Sequence, residues 1–270
     1  MNRTEIAKQI REDTMRCMGS IGVGHVGGCL SVTEILVSLY YKYMNVDPHR
    51  PDMPGRDRLI CSKGHAGPAV YATLANKGYF DKSELLTLNK GGTNLPSHCD
   101  MNKTIGIDMT TGSLGQGFSC AVGIAYASKL ADDGAYTYAI VGDGESQEGQ
   151  IWEAAMFAAH YKLNRLIAFT DYNNMQIDGL VSDVCDIAPL ADKWRSFGWN
   201  VYEIDGHDYD QIDAAIEGAK AETARPTMIV AHTIKGKGVS WIQTKGFGNH
   251  NMPISEENLA IAIDDIRRGY

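Results

Sequence analysis

A chain of 270 residues with a net charge of −8 at pH 7 is poorly suited to nucleic acid or an anionic membrane, the more so because its basic residues are scattered. Hydrophobic residues at 44% and charged residues at 21% exclude a disordered or low-complexity chain and leave enough apolar mass for a full core. No run reaches the ~18 apolar residues that span a bilayer, and the six cysteines are dispersed without zinc spacing, so reduced thiols in a cytoplasmic protein are expected.

Residues 1–16 are charged and helical in pattern and lack the apolar core of a signal peptide. Ile6, Ile10, Met15 and Met18 share one stripe and predict an opening helix that Gly19 ends. The run 22–28 is too rich in glycine for a helix or a strand and predicts a loop presenting His25. Ser31 stands three residues before Glu34 as in a capping box, which predicts a helix over 35–43. A short strand at 57–62 then leads into Lys63-Gly64-His65-Ala66-Gly67 and a helix over 68–77. That places His65 at a helix entrance, where backbone N–H groups favour anions. Asp81 caps a further helix over 81–88, and 91–102 is irregular and carries His98. The stretch 108–117 opens a helix of small residues, 118–130, suited to close packing.

The most informative stretch follows. An apolar run at 136–141 ends at Gly142-Asp143-Gly144, continues as Glu145-Ser146-Gln147-Glu148-Gly149 and enters a helix over 152–161. Glycines let backbone N–H groups approach a phosphate, and Asp143 offers a hard oxygen to a divalent cation. A second strand, 166–170, delivers Asn173 and Asn174, whose amide oxygens suit the same cation. Asp-Gly alone is a common turn; the paired asparagines after a second strand favour a metal and diphosphate site.

Beyond it lie a helix at 187–197, a strand at 200–204, a helix at 209–222, a strand at 226–231 and a helix at 256–268. Alternating strands and helices predict an α/β fold, a doubly wound, mostly parallel sheet flanked by helices, formed as a single domain over 1–270. Such sheets bind ligands at the carboxyl ends of their strands, where Asp143, Asn173 and His232 fall. Two further runs stand out, Thr233-Ile234-Lys235-Gly236-Lys237-Gly238 and Asn249-His250-Asn251-Met252-Pro253. His49, His160, His207 and His232 are expected to be structural.

Gly142-Asp143-Gly144 followed by Asn173-Asn174 resembles the signature of thiamine-diphosphate enzymes, and Gln147-Glu148-Gly149 with Ile177-Asp178-Gly179 is most similar to the transketolase family. The resemblance runs through almost the whole chain. It takes in Gly24-His25 (with Val26 where the family has proline), Ser62 to Ala66, His98, Gly112-Ser113-Leu114 (with Ser113 for the usual proline), the Lys235 loop and His250.

The resemblance implies a thiamine-diphosphate-binding fold with thiamine diphosphate and Mg2+ as cofactors, Ca2+ or Mn2+ being possible substitutes. By it, Asp143, Asn173 and the carbonyl of Met175 hold the metal. His65, Gly144, Lys235 and His250 line the diphosphate or its approach, with Gly142 and Glu145 in the same cofactor-binding set. The backbone of Gly112, Ser113 and Leu114 meets the aminopyrimidine. His25, His98 and His250 form a polar cluster that moves protons on sugar hydroxyls, a task suited to near-neutral pKa values. Glu148 resembles a glutamate that pairs with another subunit's carboxylate.

Complete transketolases are more than twice this length, and the domains that follow this one in them do not fit after His250. The resemblance therefore implies the N-terminal subunit of a split transketolase, active with a C-terminal transketolase subunit that carries the pyrimidine-binding and C-terminal domains, in an α2β2 assembly. Its reaction would move a two-carbon ketol unit from a ketose phosphate to an aldose phosphate. Two alternatives stay open: the α subunit of a 2-oxoacid dehydrogenase or a deoxyxylulose-phosphate synthase type of enzyme, and a non-catalytic homologue.

Overall fold

The computed structural model describes residues 2–270. The side chain of Asn2 accepts the Glu5 amide at 2.9 Å and caps helix α1 (Arg3–Gly19), which buries Ile6, Ile10, Met15 and Met18 as their spacing predicts. The run 22–28 departs from the expected loop. Val23–Gly24 forms a short strand, β1, that pairs antiparallel with residues 252–253, and Val26–Leu30 is a buried helix, α2. Glycine serves close packing here, since a Cβ on Gly27 would lie 2.5 Å from the Asn249 side chain.

Ser31 is not the expected N-cap. Helix α3 (Thr33–Ser38) starts after Val32 without a side-chain cap and passes into a π turn at Leu39–Tyr43. The Ser31 hydroxyl donates instead to Asp171 at 2.7 Å, and Glu34 receives both guanidinium nitrogens of Arg11 at 2.6 Å and His207 Nδ1 at 2.9 Å. Buried charges outcompete the local capping box because an unpaired ion costs far more than a lost cap.

Strand β2 (Arg58–Cys61) leads to α4 (Gly67–Lys77), which has Pro68 in its first turn and left-handed Gly78 at its end. Asp81 caps the next segment as expected, but Lys82–Thr87 is 3-10 and not α. Then come α5 (Gln116–Ala131), β3 (Thr137–Gly142), α6 (Gly149–His160), β4 (Leu166–Tyr172), α7 (Val181–Val184) and α8 (Leu190–Ser196). The chain closes with β5 (Asn200–Asp205), α9 (Tyr209–Ala221), β6 (Thr227–His232), α10 (Ser240–Gln243), β7 (Met252–Pro253) and α11 (Glu256–Arg268).

Five strands form one parallel sheet in the order β2-β3-β4-β6-β5. The strands β2, β3, β4 and β6 are buried on both faces and read as near-continuous apolar runs, whereas edge strand β5 (burial mostly intermediate, with Glu203 and Asp205 exposed) does not. Tyr138, Ile140, Ile167, Phe169 and Ile229 join the core built with α1 to α4, and Ala139, Val141, Leu166, Ala168 and Val230 join a second core with Phe118, Trp194 and Trp199. The register sets Gly142 beside Asp171, and Tyr172 beside His232, so the strands end together at one rim. No helix among the described residues is long and apolar enough to cross a membrane.

Burial alone would raise the pKa of Glu34, but Arg11 and His207 hold it at about 2, from an ordinary 4.5. A depressed folded-state pKa stabilises the fold above the unfolded value, and that stability is lost as pH falls through 4.5 toward 2. At 1.36 kcal/mol per unit the pair is linked to roughly 3 kcal/mol. Glu34→Gln should lower stability by about that amount at pH 7 and flatten the acid limb of a urea-midpoint profile between about pH 5 and 2. An unchanged acid limb would refute the assignment.

Candidate active site

The site is a cleft of about 310 Å³ at the carboxyl rim of the sheet. Strand β3 ends at Gly142, and Asp143 follows in helical conformation with its Oδ1 accepting the Gly144 N–H at 2.8 Å. Its Oδ2 accepts the N–H groups of Asn173 at 2.8 Å and Asn174 at 2.5 Å, which curls the segment after β4 around the carboxylate. Asn174 takes a left-handed conformation (φ 58°), which asparagine tolerates. Its amide bonds Ser182, through Oδ1 from the Ser182 N–H at 3.0 Å, so it turns away from the cation position that its sequence context suggests. Asn173 Oδ1 accepts the Met175 N–H at 3.2 Å, and the Met175 carbonyl accepts the Lys235 ammonium at 2.9 Å.

Asp143, Asn173 and Met175 thus line one cleft, are linked to one another by hydrogen bonds, and offer hard oxygens there. Among the described residues no group of three His, Cys, Asp or Glu side chains could hold a metal. A cation here would depend on amide and carbonyl oxygens, a mixture that suits magnesium completed by phosphate and water. Burial and the nearby Asp171 charge push the Asp143 carboxyl up to about 6, so its charged form lacks compensation that a cation would provide. The donor set fits a divalent metal.

The anion side is equally defined. Lys63, His65, Gly144 and Lys235 line the cleft, and Gly144 has no side chain between its backbone and Gln176, whose Cβ would lie 3.1 Å from an added Cβ. Burial and the charge of Lys63 lower Lys235 to about 8. These features fit a diphosphate.

Four histidines meet at the cleft. The ring centroid of His25 lies 5.3 Å from those of His65 and His250 and 5.5 Å from that of His98, and His65 and His250 are 4.9 Å apart. The expectation of near-neutral pKa values does not hold throughout this cluster. Burial, then Lys235, lowers His250 to about 3. Burial, then Lys63, lowers His65 well below the usual value, and burial also lowers His25 and His98. All four are therefore neutral near pH 7, each with one N–H donor and one acceptor nitrogen.

Glu145 braces the site. Its Oε1 accepts the Ser62 hydroxyl at 2.5 Å and the Gly115 N–H at 2.8 Å, and its Oε2 accepts the Gly142 N–H at 2.9 Å. Burial keeps its pKa above the ordinary value despite these donors. Gly112 and Leu114 line the cleft, whereas Ser113 is exposed and stands outside its lining. Glu148 sits exposed at the rim, where α6 begins. His232 ends β6 and packs on Tyr172, outside the cleft lining.

Sequence reasoning missed Lys63 and Asp171. Lys63 Nζ bonds Asp171 Oδ2 at 2.5 Å and the Gly28 carbonyl at 2.9 Å, with both side chains almost fully buried. Thr233 donates to the other Asp171 oxygen. A charged residue closing the apolar run of β4, and a lysine beside Gly64-His65, were the available signals. Gln147 and Gln176 were missed as well; they bond each other at 2.7 Å over the cleft wall.

The family described as "Transketolase, thiamine diphosphate binding domain" matches residues 2–266. The chain is 55% identical over 262 residues to the 6-deoxy-6-sulfo-D-fructose transketolase subunit SqwG of Clostridium sp. (strain MSTE9), covering 97% of this chain and 95% of that protein. It is 38% identical over 234 residues to an apulose-4-phosphate transketolase subunit of Phocaeicola vulgatus, covering 87% and 83% of the two. Among solved structures, transketolase from Leishmania mexicana superposes with a TM-score of 0.91 at 29% identity, over 100% of this chain but 44% of that one. The chain therefore spans under half the length of that solved structure.

Close approach of α5 to the end of β2 holds the Ser62–Glu145 brace, since a Cβ on Gly117 would lie 2.7 Å from Ser62 Cα, whereas one on Gly123 of the same helix meets nothing within 4 Å. Gly117→Ala should cost about 1–3 kcal/mol through overpacking. Gly123→Ala, measured in the isolated chain, should be neutral or stabilising by up to about 1 kcal/mol. Equal effects in thermal melts would mean that the brace is not tightly packed.

Proposed function

The chain belongs to the transketolase family, in its thiamine-diphosphate-binding domain, and from that premise we propose that it is the N-terminal subunit of a two-chain transketolase. The observation that carries the reading is the joining of Asp143, Asn173 and Met175 oxygens with Lys235 and His65 in one cleft. In this reading residues 1–270 form a single cofactor-binding domain, and a second chain contributes the pyrimidine-binding and C-terminal domains in an α2β2 cytoplasmic assembly. Relatives named as subunits over nearly their full length support the two-chain organisation.

Asp143, Asn173 and the Met175 carbonyl hold Mg2+, or Ca2+ or Mn2+ in its place. Lys235, His65 and the backbone of Gly142 and Gly144 hold the diphosphate, and Gly112 and Leu114 present backbone to the aminopyrimidine. Thiamine diphosphate, when bound, supplies the carbon nucleophile that carries the two-carbon ketol unit. His25, His98 and His250 hold the sugar hydroxyls: as neutral imidazoles each accepts from one hydroxyl or donates to another and can take a proton transiently. Their burial and mutual crowding keep them neutral between turnovers. Glu148 pairs with a carboxylate of another subunit in this reading, which its exposure at the rim supports.

The donor we favour is a ketose with an anionic end, specifically a 6-sulfonated fructose, because the relative at 55% identity carries that substrate in its name. A ketose phosphate is the second reading, favoured by the apulose-4-phosphate relative at 38%. The histidine cluster argues against a 2-oxoacid enzyme, whose substrate offers few hydroxyls to hold. The intact oxygen set argues against a non-catalytic homologue.

The test is a coupled assay with thiamine diphosphate and Mg2+, using this chain alone and mixed with the second subunit. Turnover is expected only in the mixture, faster with 6-deoxy-6-sulfofructose than with fructose 6-phosphate, and reduced at least a hundredfold by Asp143→Ala, about 3 kcal/mol of lost stabilisation. Full activity of the chain alone would overturn the two-chain reading, and a preference for fructose 6-phosphate would overturn the sulfonate assignment.

A further inference from the structure

We propose that Lys63 is itself a diphosphate-binding residue, a second fixed positive charge beside Lys235 that Asp171 clamps in place. The inference rests on the reading that thiamine diphosphate binds in this cleft. Lys63 lies at the end of β2, two residues before His65, and lines the cleft although its side chain is almost wholly buried. An ammonium carries three N–H groups. Two of them reach Asp171 Oδ2 at 2.5 Å and the Gly28 carbonyl at 2.9 Å, and the third has no protein acceptor among the described residues.

The wall in front of this ammonium is bare. Gly28 has no side chain, and a Cβ there would lie 3.3 Å from both Lys63 Nζ and His65 Nε2, so both nitrogens border the same small space. The charge is felt across the cleft as well. It is among the causes that disfavour protonation of His65, Lys235 and His250. A lysine present only to balance Asp171 would have no need to border the cleft. One that is held by two acceptors and opens its third donor to a cleft containing Lys235 is preorganised for an anion.

Lys63→Met alone would leave Asp171 buried and unpaired, and a defect could then be purely structural. The informative variant is K63M/D171N, which removes both charges together and keeps hydrogen-bonding groups for Ser31 and Thr233. K63Q/D171N repeats the test with a polar side chain, against a packing fault specific to methionine. The chain, reconstituted with its second subunit, is titrated with thiamine diphosphate and with thiamine monophosphate in the presence of Mg2+ by calorimetry. Thermal melts without ligand confirm that each variant is folded.

If Lys63 binds the diphosphate, both double variants lose about tenfold or more in affinity for thiamine diphosphate, as expected for a charge-assisted hydrogen bond. Their preference for diphosphate over monophosphate shrinks too, which a general loosening of the fold would not cause. If wild type binds thiamine diphosphate and the folded double variants bind it within about threefold, Lys63 serves only Asp171 and the proposal is wrong. Failure of the wild-type complex to bind thiamine diphosphate at all would instead overturn the proposed function, and the role of Lys63 with it.

Discussion

One buried carboxylate holds the site together. Asp171 accepts from Lys63, Ser31, Thr233 and the Asn173 side chain. Those donors come from the end of β2, the turn after α2, the segment after β6 and the loop after β4, and each lies within a few residues of a group that lines the cleft. Burial works against both charges of the Lys63–Asp171 pair, and the pairing overrides it, holding the lysine above and the aspartate below its ordinary range. Such a pair can contribute little net stability, yet removing one partner costs about 3–5 kcal/mol. Its value lies in geometry: four backbone segments that follow different elements are fixed to a common point.

That point sits where the sheet topology already brings strand ends together. A parallel sheet must return each strand through a crossover, so the loops after β2, β3, β4 and β6 emerge on the same rim. Their backbones must then run close to one another, and bare glycine permits it. An added Cβ at Gly64 would lie 2.6 Å from the Thr111 carbonyl oxygen, and one at Gly27 2.5 Å from Asn249. Asn249 in turn donates to the Lys235 and Ile242 carbonyls at 3.1 Å, so the loops that carry Lys235 and His250 are tied through a residue that never faces the cleft.

The sheet, its parallel sense and the helices 67–77, 149–160, 209–221 and 256–268 were legible because periodicity and length report them directly. The Gly142-Asp143-Gly144 turn and Asn173 were legible because local sequence sets loop conformation there. What escaped was set by partners distant in sequence. Ser31 and Glu34 look like a capping box until Asp171, 140 residues away, and Arg11 claim them. Asn174 looks like a ligand, like its neighbour, until its left-handed backbone turns its amide to Ser182. Asp171 stood in no motif and Lys63 at a motif position with no assigned role, since a buried ion pair is visible only once both ends are placed.

The same partners decide the protonation of the site. Four imidazoles within 5.5 Å of a neighbour would repel one another if charged, and Lys63 and Lys235 add to that repulsion. Desolvation acts in the same direction. Positive charge in the cleft is thereby concentrated on two fixed lysines, while the histidines stay neutral and free to exchange hydrogen bonds. Asp171 clamps Lys63 and the Met175 carbonyl clamps Lys235, while the neutral imidazoles line the same cleft. Fixed charge and neutral donors are thus kept on separate side chains within one cleft of about 310 Å³.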